Sequence, residues 1–584
     1  MKPKLRIHHT AFIILLGLLI LLARLAYIQL FATESFSKHH VNLLEESVKQ
    51  RTQYIVLDQG RGRFVDRNGE PLYDNYYPSL ILFPFLKQLD WKAEEVARIL
   101  QVPVDKLEDT VEGAEGPVVF GDNRPLQLTE EQMKAINDLK VPGVIAAYHQ
   151  TESSKPFAEH FIGLVRENEE LLEKRYRDKL DKGWLTYQTP VGITGLQRAF
   201  DEFLVQEGEA KLLYHVDNQG SPLFGLDVKY AAPANPFYPL TVQTTLSREL
   251  QAEAERIVDE LKLKKGGLVL LDIESREVLA SVSRPHLDMQ APFKDDGGKN
   301  YMVLPQIPGS IFKVVTAAAA LENIELRDRT FNCDENLYGD GLASRKLGML
   351  NFRESFAQSC NRTFAQLGNE MVKENPDIIE EYADKLGLLS SVGWQGDVFH
   401  IQSFTHFPEE MGGVVWDDER DKGSQRAISQ TVIGQKEVRI SPLATANMMA
   451  SIAEGGEKKQ VRAVDKIIYK NGAVLYDFNS QELGEVSLSP YTVSKLQQML
   501  RDVVQTGTGQ SFSHLPYSVA GKSGTAEIGK KGYVNKWFAG YFPTEDPKYA
   551  LVVVDLNETT WQTKTYDTFA KMVKAVYDSD HSSK

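Results

Sequence analysis

The sequence predicts an α+β protein carried by a single N-terminal transmembrane helix, with two domains beyond it. The second is built on a central antiparallel sheet flanked by helices. Three observations carry this expectation. One apolar segment stands near the start, and between residues 90 and 230 short β-rich runs alternate with helical periodicity. After residue 240, paired β-rich runs lie at opposite ends of the remaining chain with helices between them, so the sheet must draw strands from distant segments.

Lys2, Lys4 and Arg6 precede an apolar stretch from Thr10 to Phe31. As a helix it spans roughly 33 Å, enough to cross a bilayer. Arg24 and Gln29 interrupt its far end, so the strictly apolar part, Ala11 to Ala23, also suits the core of a cleaved signal peptide. No Ala-x-Ala pattern follows Ala23, and Arg24 stands where its side chain can snorkel to the interface. An uncleaved anchor over residues 1–31 is therefore expected. With the basic residues retained inside, everything after residue 32 faces the extracytoplasmic side.

The polar stretch up to residue 60 carries little pattern. From Arg61 to Leu72 the sequence reads as a hairpin turning at Asn68-Gly69. Helical periodicity follows at Ala93 to Leu100 and Glu169 to Leu180, and the prolines 233, 236 and 239 mark a linker over Ala231 to Pro239. Beyond it, Leu246 to Leu263 reads as an amphipathic helix capped by Thr245 or Ser247. Strands are expected at Gly267 to Ile273, Glu277 to Ser283, Lys536 to Phe542 and Tyr549 to Leu556, with a closing helix from Asp567 to Tyr577.

Composition narrows the function. The 584 residues imply several domains, and 80 acidic against 66 basic residues give a net charge of -14, the wrong sign for neutralising phosphates, so no nucleic acid is expected. Cys333 and Cys360 are the only cysteines, which excludes a disulfide-rich scaffold and leaves one bridge or none. The twelve histidines show no His-x-x-x-His helix pattern, and His8-His9 and His39-His40 read as exposed polar stretches, so neither a metal nor another cofactor is expected.

Three short motifs carry chemistry. Ser310-Ile311-Phe312-Lys313 opens an apolar helix, with hydroxyl and amine on one face. A lysine desolvated in a cleft can be neutral enough to take a serine proton, and a helix N-terminus offers N–H groups to an oxyanion. Alone this signal is weak, because Ser35-x-x-Lys38 matches it too. Ser359-Cys360-Asn361 follows before another apolar helix, and Lys522-Ser523-Gly524-Thr525 lies on a run that reads as a strand. Each has an ordinary explanation as a cap or a bulge. Their order on helix, loop and strand is what gives them weight.

In that order, Ser310-x-x-Lys313, Ser359-x-Asn361 and Lys522-Ser523-Gly524 resemble the penicillin-binding proteins and serine β-lactamases. Flanking segments narrow the likeness to class B, monofunctional penicillin-binding proteins. Arg61 to Leu72, Gly192 to Gln197 and Phe200-Asp201 are similar to their pedestal. Ile433-Gly434-Gln435 with Ser441-Pro442, and Trp537 to Tyr541, are similar to landmarks of their transpeptidase domain. Two departures occur: Gln306-Ile307 where an acidic residue usually precedes Pro308-Gly309, and Lys436-Glu437 where a glycine is common. A glycosyltransferase domain, a multispan sensor domain, a deacylating Glu-x-x-Leu-Asn segment and an inserted domain between anchor and pedestal are all missing from the sequence.

The resemblance implies a serine β-lactamase/transpeptidase-like fold and three parts: 1–31 a cytoplasmic stub and signal anchor, 32–235 a dimerisation or pedestal domain, 236–584 a transpeptidase domain. It implies a D,D-transpeptidase of peptidoglycan biosynthesis in the bacterial cytoplasmic membrane, acting on stem peptides ending in D-Ala-D-Ala, acylated by β-lactam antibiotics, and accompanied by a membrane glycan polymerase. D-Ala-D-Ala carboxypeptidase action is an implied side activity. Ser310, Lys313 and Ser359 would be catalytic. Asn361, Lys522, Ser523, Gly524 and Thr525 would bind substrate. The alternative is a catalytically idle scaffold of a wall-synthesis complex.

Overall fold

The computed structural model describes the chain apart from residues 1–2, 35, 37–41, 73–75, 123, 152–156, 206–207, 218–221, 224–226, 233–234, 236, 289, 485–487, 530–531, 560–563 and 583–584. Ser35, Lys38, His39, His40, Pro233 and Pro236 lie outside the described residues. An α-helix runs from Pro3 to Leu30, and its stretch His8–Leu30, with a mean hydropathy of 2.6, is long and apolar enough to cross a membrane. Its apolar side chains, Phe12 and Leu15 among them, are exposed. That is consistent with a single-pass anchor.

The described residues pack as two compact units. The first contains 1–60, 74–153 and 207–234. Its strand Tyr76–Leu82 lies between Val118–Val119 and Val144–Gln150. Leu80 and Leu82 point to a core made with the helices Ala93–Leu100, Val104–Gly113 and Glu130–Asp138, whereas Ile81 points to a second cluster with Leu57, Leu212 and Tyr214. Strand alternation thus feeds two cores from one strand. The helix at Glu130 begins with a capping box in which the Thr129 and Gln132 side chains each satisfy the other's backbone N–H.

The second unit contains 61–73, 154–206 and 235–584. This division differs from the boundaries expected from the sequence, because two stretches of the expected pedestal fold with the C-terminal part. The reason is visible in the strand Arg63–Val65. The Asn68-Gly69 turn forms, with Asp66 Oδ1 accepting from the N–H groups of Asn68 and Glu70. Across the turn the Asp66 N–H donates to Glu70 O and the Leu72 N–H to Phe64 O, flanking an antiparallel bridge between Val65 and Pro71. The expected hairpin thus forms at its turn end, and Arg63–Val65 also pairs in parallel with Thr241–Thr244, which draws it into the second unit. Nearby, Asp201 gathers Arg61 at 2.8 Å, Arg175 at 3.1 Å, the Tyr176 hydroxyl at 2.9 Å and the Gly192 N–H at 2.7 Å.

At the centre of this unit stand β1 (Gly266–Asp272), β2 (Val278–Arg284), β3 (Ala520–Glu527), β4 (Val534–Phe542) and β5 (Tyr549–Glu558), in the order β2-β1-β5-β4-β3. All neighbours are antiparallel. Side chains alternate between two cores. Leu268, Leu270, Phe538, Leu551 and Val553 face α1 (Arg248–Glu260) and the closing helix Lys564–Ser582. Val269, Trp537, Ala539, Val552 and Val554 face the larger helical core. The cap of α1 is Ser247, whose hydroxyl accepts from the Leu250 N–H, and not Thr245, which is buried against the Val278 carbonyl.

Candidate active site

The segment before Ser310 is pinned to the free edge of β3 by two glycines. Gly309 has φ of +56°, and a Cβ there would stand 2.3 Å from the Thr525 carbonyl oxygen. A Cβ on Gly524 would meet the Pro308 carbonyl at 2.3 Å. Neither contact is possible for a larger residue, so close approach of two backbones is what these glycines provide. Gly524 therefore serves the packing of the nucleophile segment as well as lining the cleft beside it. The Gly309 N–H donates to Gly434 O, and Trp537 Nε1 donates to Ile307 O. Ser310 itself lies in a 3₁₀ turn, Gly309–Phe312, that runs directly into α2 (Lys313–Asn323).

Lys313 is fully buried, and its Nζ donates to Ser359 O at 2.9 Å, Ser359 Oγ at 3.2 Å and Asn361 Oδ1 at 2.6 Å. Burial pushes its pKa well below the ordinary lysine value, and the charges of Lys522 and Arg345 push in the same direction. Among the described residues no carboxylate pairs with it, and no hydrogen bond joins it to Ser310 Oγ. Such a contact often tightens only when substrate is bound. Ser359 holds φ of +59°, an uncommon conformation for a residue with a side chain, which turns its hydroxyl and carbonyl toward one amine. Behind it, a disulfide joins Cys360 to Cys333, and Cys360 stands at the N-cap position of α3 (Asn361–Glu374) without a side-chain capping bond.

Lys522 is also fully buried, on β3, with Nζ donating to Ser523 O at 3.2 Å. Burial, with a contribution from Arg345, lowers its pKa to about 7. The Ser523 hydroxyl pairs with that of Thr508 at 2.8 Å. Gln435 clasps the same strand: its Nε2 donates to Thr525 O and its Oε1 accepts from the Glu527 N–H, each at 3.1 Å.

The structure brings Ser310, Ser359, Asn361, Ser523, Gly524 and Thr525 to one cleft of about 350 Å³, with Lys313 and Lys522 buried rather than among its lining residues. A hydroxyl beside a desolvated amine, with strand and turn N–H groups at hand, is suited to acyl transfer through a covalent intermediate. Sequence reasoning missed six lining residues as members of the site, Arg345, Thr508, Lys536, Trp537, Thr565 and Tyr566. The run Thr506-Gly507-Thr508-Gly509 was a usable signal for one of them, since a Cβ on Gly507 would meet Ala357 O at 2.1 Å.

The profile of the family described as "Penicillin binding protein transpeptidase domain" matches residues 266–578. Among curated proteins, the chain is similar to a "Peptidoglycan D,D-transpeptidase FtsI homolog" of Mesostigma viride, 24% identical with 92% of this chain and 89% of that protein covered. It is similar to "Stage V sporulation protein D" of Bacillus subtilis, 26% identical over 94% of this chain and 82% of that protein. Among solved structures, a chain described under "Structural coordination of polymerization and crosslinking by a peptidoglycan synthase complex" aligns with a TM-score of 0.63 and 23% identity, covering 98% of both chains, and so shares the fold.

Proposed function

Because this chain belongs to the penicillin binding protein transpeptidase family, we propose that it is a class B, serine-type D,D-transpeptidase that crosslinks peptidoglycan stem peptides, with Ser310 as nucleophile. The observation that carries the assignment is the convergence on one cleft of a hydroxyl, a buried amine of depressed pKa, and a second hydroxyl bonded to that amine. In the first half-reaction Ser310 Oγ attacks the carbonyl of the penultimate D-Ala while Lys313 takes the hydroxyl proton. The N–H groups of Ser310 and Thr525 receive the oxyanion, where losing one donor typically costs about 100-fold to 1000-fold in rate. Ser359 relays the proton from Lys313 to the departing D-Ala nitrogen. An amine from a second stem peptide then attacks the acyl-enzyme and the proton path reverses. Water in place of that amine gives carboxypeptidase side activity.

Asn361 orients the substrate amide, and Lys522 places positive charge near the terminal carboxylate, which the Ser523 and Thr525 hydroxyls bind. A β-lactam acylates the same serine, but its leaving nitrogen stays tethered by the opened ring. The domain assignment of anchor 1–31, pedestal 32–235 and transpeptidase 236–584 belongs to the same reading, as does a membrane glycan polymerase partner. The transpeptidase domain lies outside the membrane, where its substrate is. Protease added to intact protoplasts should digest that domain, and its survival beside digested external proteins would reverse the topology.

The central test is mass spectrometry after benzylpenicillin. One penicilloyl adduct is expected on Ser310 and none in Ser310→Ala. An adduct persisting in Ser310→Ala would refute the nucleophile, and a wild-type protein that never labels would favour an idle scaffold.

A further inference from the structure

The chain carries a net charge of -14, yet no carboxylate lines the cleft. Two cations do, Arg345 and Lys536. Lys536 is compensated from behind, because Asp555 and Glu558 both act on it and favour its charge. Arg345 is exposed and has no carboxylate within ion-pair distance among the described residues. Its neighbours in sequence are treated differently: Arg353 pairs with Asp502, and Arg362 pairs with Glu335.

Arg345 is instead held at the second motif. Nη1 donates to the Gln358 carbonyl and Nη2 to Gln358 Oε1, each at 3.3 Å, and Gln358 Nε2 donates in turn to Thr506 O at 2.7 Å. Two long bonds leave most of the five guanidinium donors unused. The charge also acts against folding, since Arg345 pushes the pKa of both Lys313 and Lys522 down. Arg345, Lys313 and Lys522 thus act on one another, and among the described residues no carboxylate pairs with any of the three. The terminal carboxylate of a stem peptide or penicillin answers Lys522, which leaves Arg345 unanswered.

We propose that Arg345 is a specificity-determining residue that binds a second carboxylate of the ligand, one carried on the body of a stem peptide or on the side chain of a β-lactam. A guanidinium fixed by its far edge presents a planar pair of donors, which matches a carboxylate in two-point contact. This inference rests on the acyl-enzyme mechanism above. Stem peptides whose internal carboxylates are free would accordingly be preferred over amidated ones.

The experiment compares two penicillins that differ by one carboxylate. Second-order acylation constants are measured by stopped flow for benzylpenicillin and its side-chain carboxylated analogue carbenicillin, with wild type, Arg345→Gln, Arg345→Lys and Arg345→Glu. The carbenicillin to benzylpenicillin ratio should fall about tenfold in Arg345→Gln, the factor that loss of ~1.4 kcal/mol produces. It should fall further in Arg345→Glu and recover in part in Arg345→Lys. The same order is expected with stem peptides bearing free or amidated carboxylates. If the ratio is constant across the four proteins, whether or not both constants drop together, Arg345 acts only on the lysines or on Gln358 and the proposal is overturned. Failure of wild type to form any benzylpenicillin adduct would instead remove the mechanism on which it rests.

Discussion

The Asp201 carboxylate and the Lys313 and Lys522 amines are buried in the same unit, but only the carboxylate meets opposite charge. Asp201 has Arg61, Arg175, a tyrosine hydroxyl and a backbone N–H around it, so its desolvation is offset by partners on three separated stretches of chain. The two lysines have carbonyl and hydroxyl acceptors, each other, and Arg345. The first arrangement ties segments together. The second lowers the pKa of both amines, because nothing of opposite charge offsets their burial. Burial beside opposite charge holds a group in its charged form, and burial without it disfavours that form.

The largest way to break this comparison is through Lys313. Lys313→Met should reduce benzylpenicillin acylation by about 100-fold to 10,000-fold, the range typical of losing a general base. Stopped-flow labelling measures it, and a rate within a few-fold of wild type would mean that another group takes the Ser310 proton. Asp201→Ala tests the opposite pole. It strands two guanidinium groups, and should cost about 3–5 kcal/mol of stability, as removing one member of a buried ion pair does. Urea unfolding of the chain begun at residue 32 reads the loss. A cost below ~1 kcal/mol would place the Arg61–Asp201 cluster with ordinary surface pairs.

Much of this was legible in the sequence, and the parts that were not share a cause. The strands around Leu268, Phe538 and Val552 were visible because alternation and β-branched runs are local signals. The three motifs were visible because they sit at fixed spacing within each segment. What the sequence could not display is which distant segment completes each one. Arg63–Val65 pairs not only with its own hairpin arm but also with the distant Thr241–Thr244. The Cys333–Cys360 bridge and the approach of Gly524 to Pro308 are likewise contacts between segments far apart in the chain. Arg345 was hidden for a different reason: its meaning lies in the acid it lacks, and a missing partner has no sequence pattern.

Lys522 offers the finest test, because the comparison fixes the sign of a pH effect. Its pKa is lowered from 10.5 to about 7 by burial first and by Arg345 second, so the folded protein releases this proton more easily than the unfolded chain. Below pH 7 both states are charged and the folded state carries the full penalty of a buried cation. Between about pH 7 and 10.5 the unfolded chain holds the extra proton, and stability rises with pH by up to about 1.4 kcal/mol per unit. Above that window both forms are neutral and the effect ends. Tyrosines of the unfolded chain begin to titrate at the top of this window while burial holds Tyr176 and Tyr549 above it in the folded protein, so the quantity to follow is wild type minus Lys522→Met. Urea unfolding at pH 7, 8 and 9 should show wild type gaining on the variant at each step. A flat difference would mean that Lys522 keeps its proton in the folded protein, that an anion or water compensates it, and that the contrast with Asp201 is one of degree. In the same window, acylation should decline as Lys522 loses the charge that attracts the ligand carboxylate, and a bound β-lactam should shift that decline to higher pH by favouring the protonated amine.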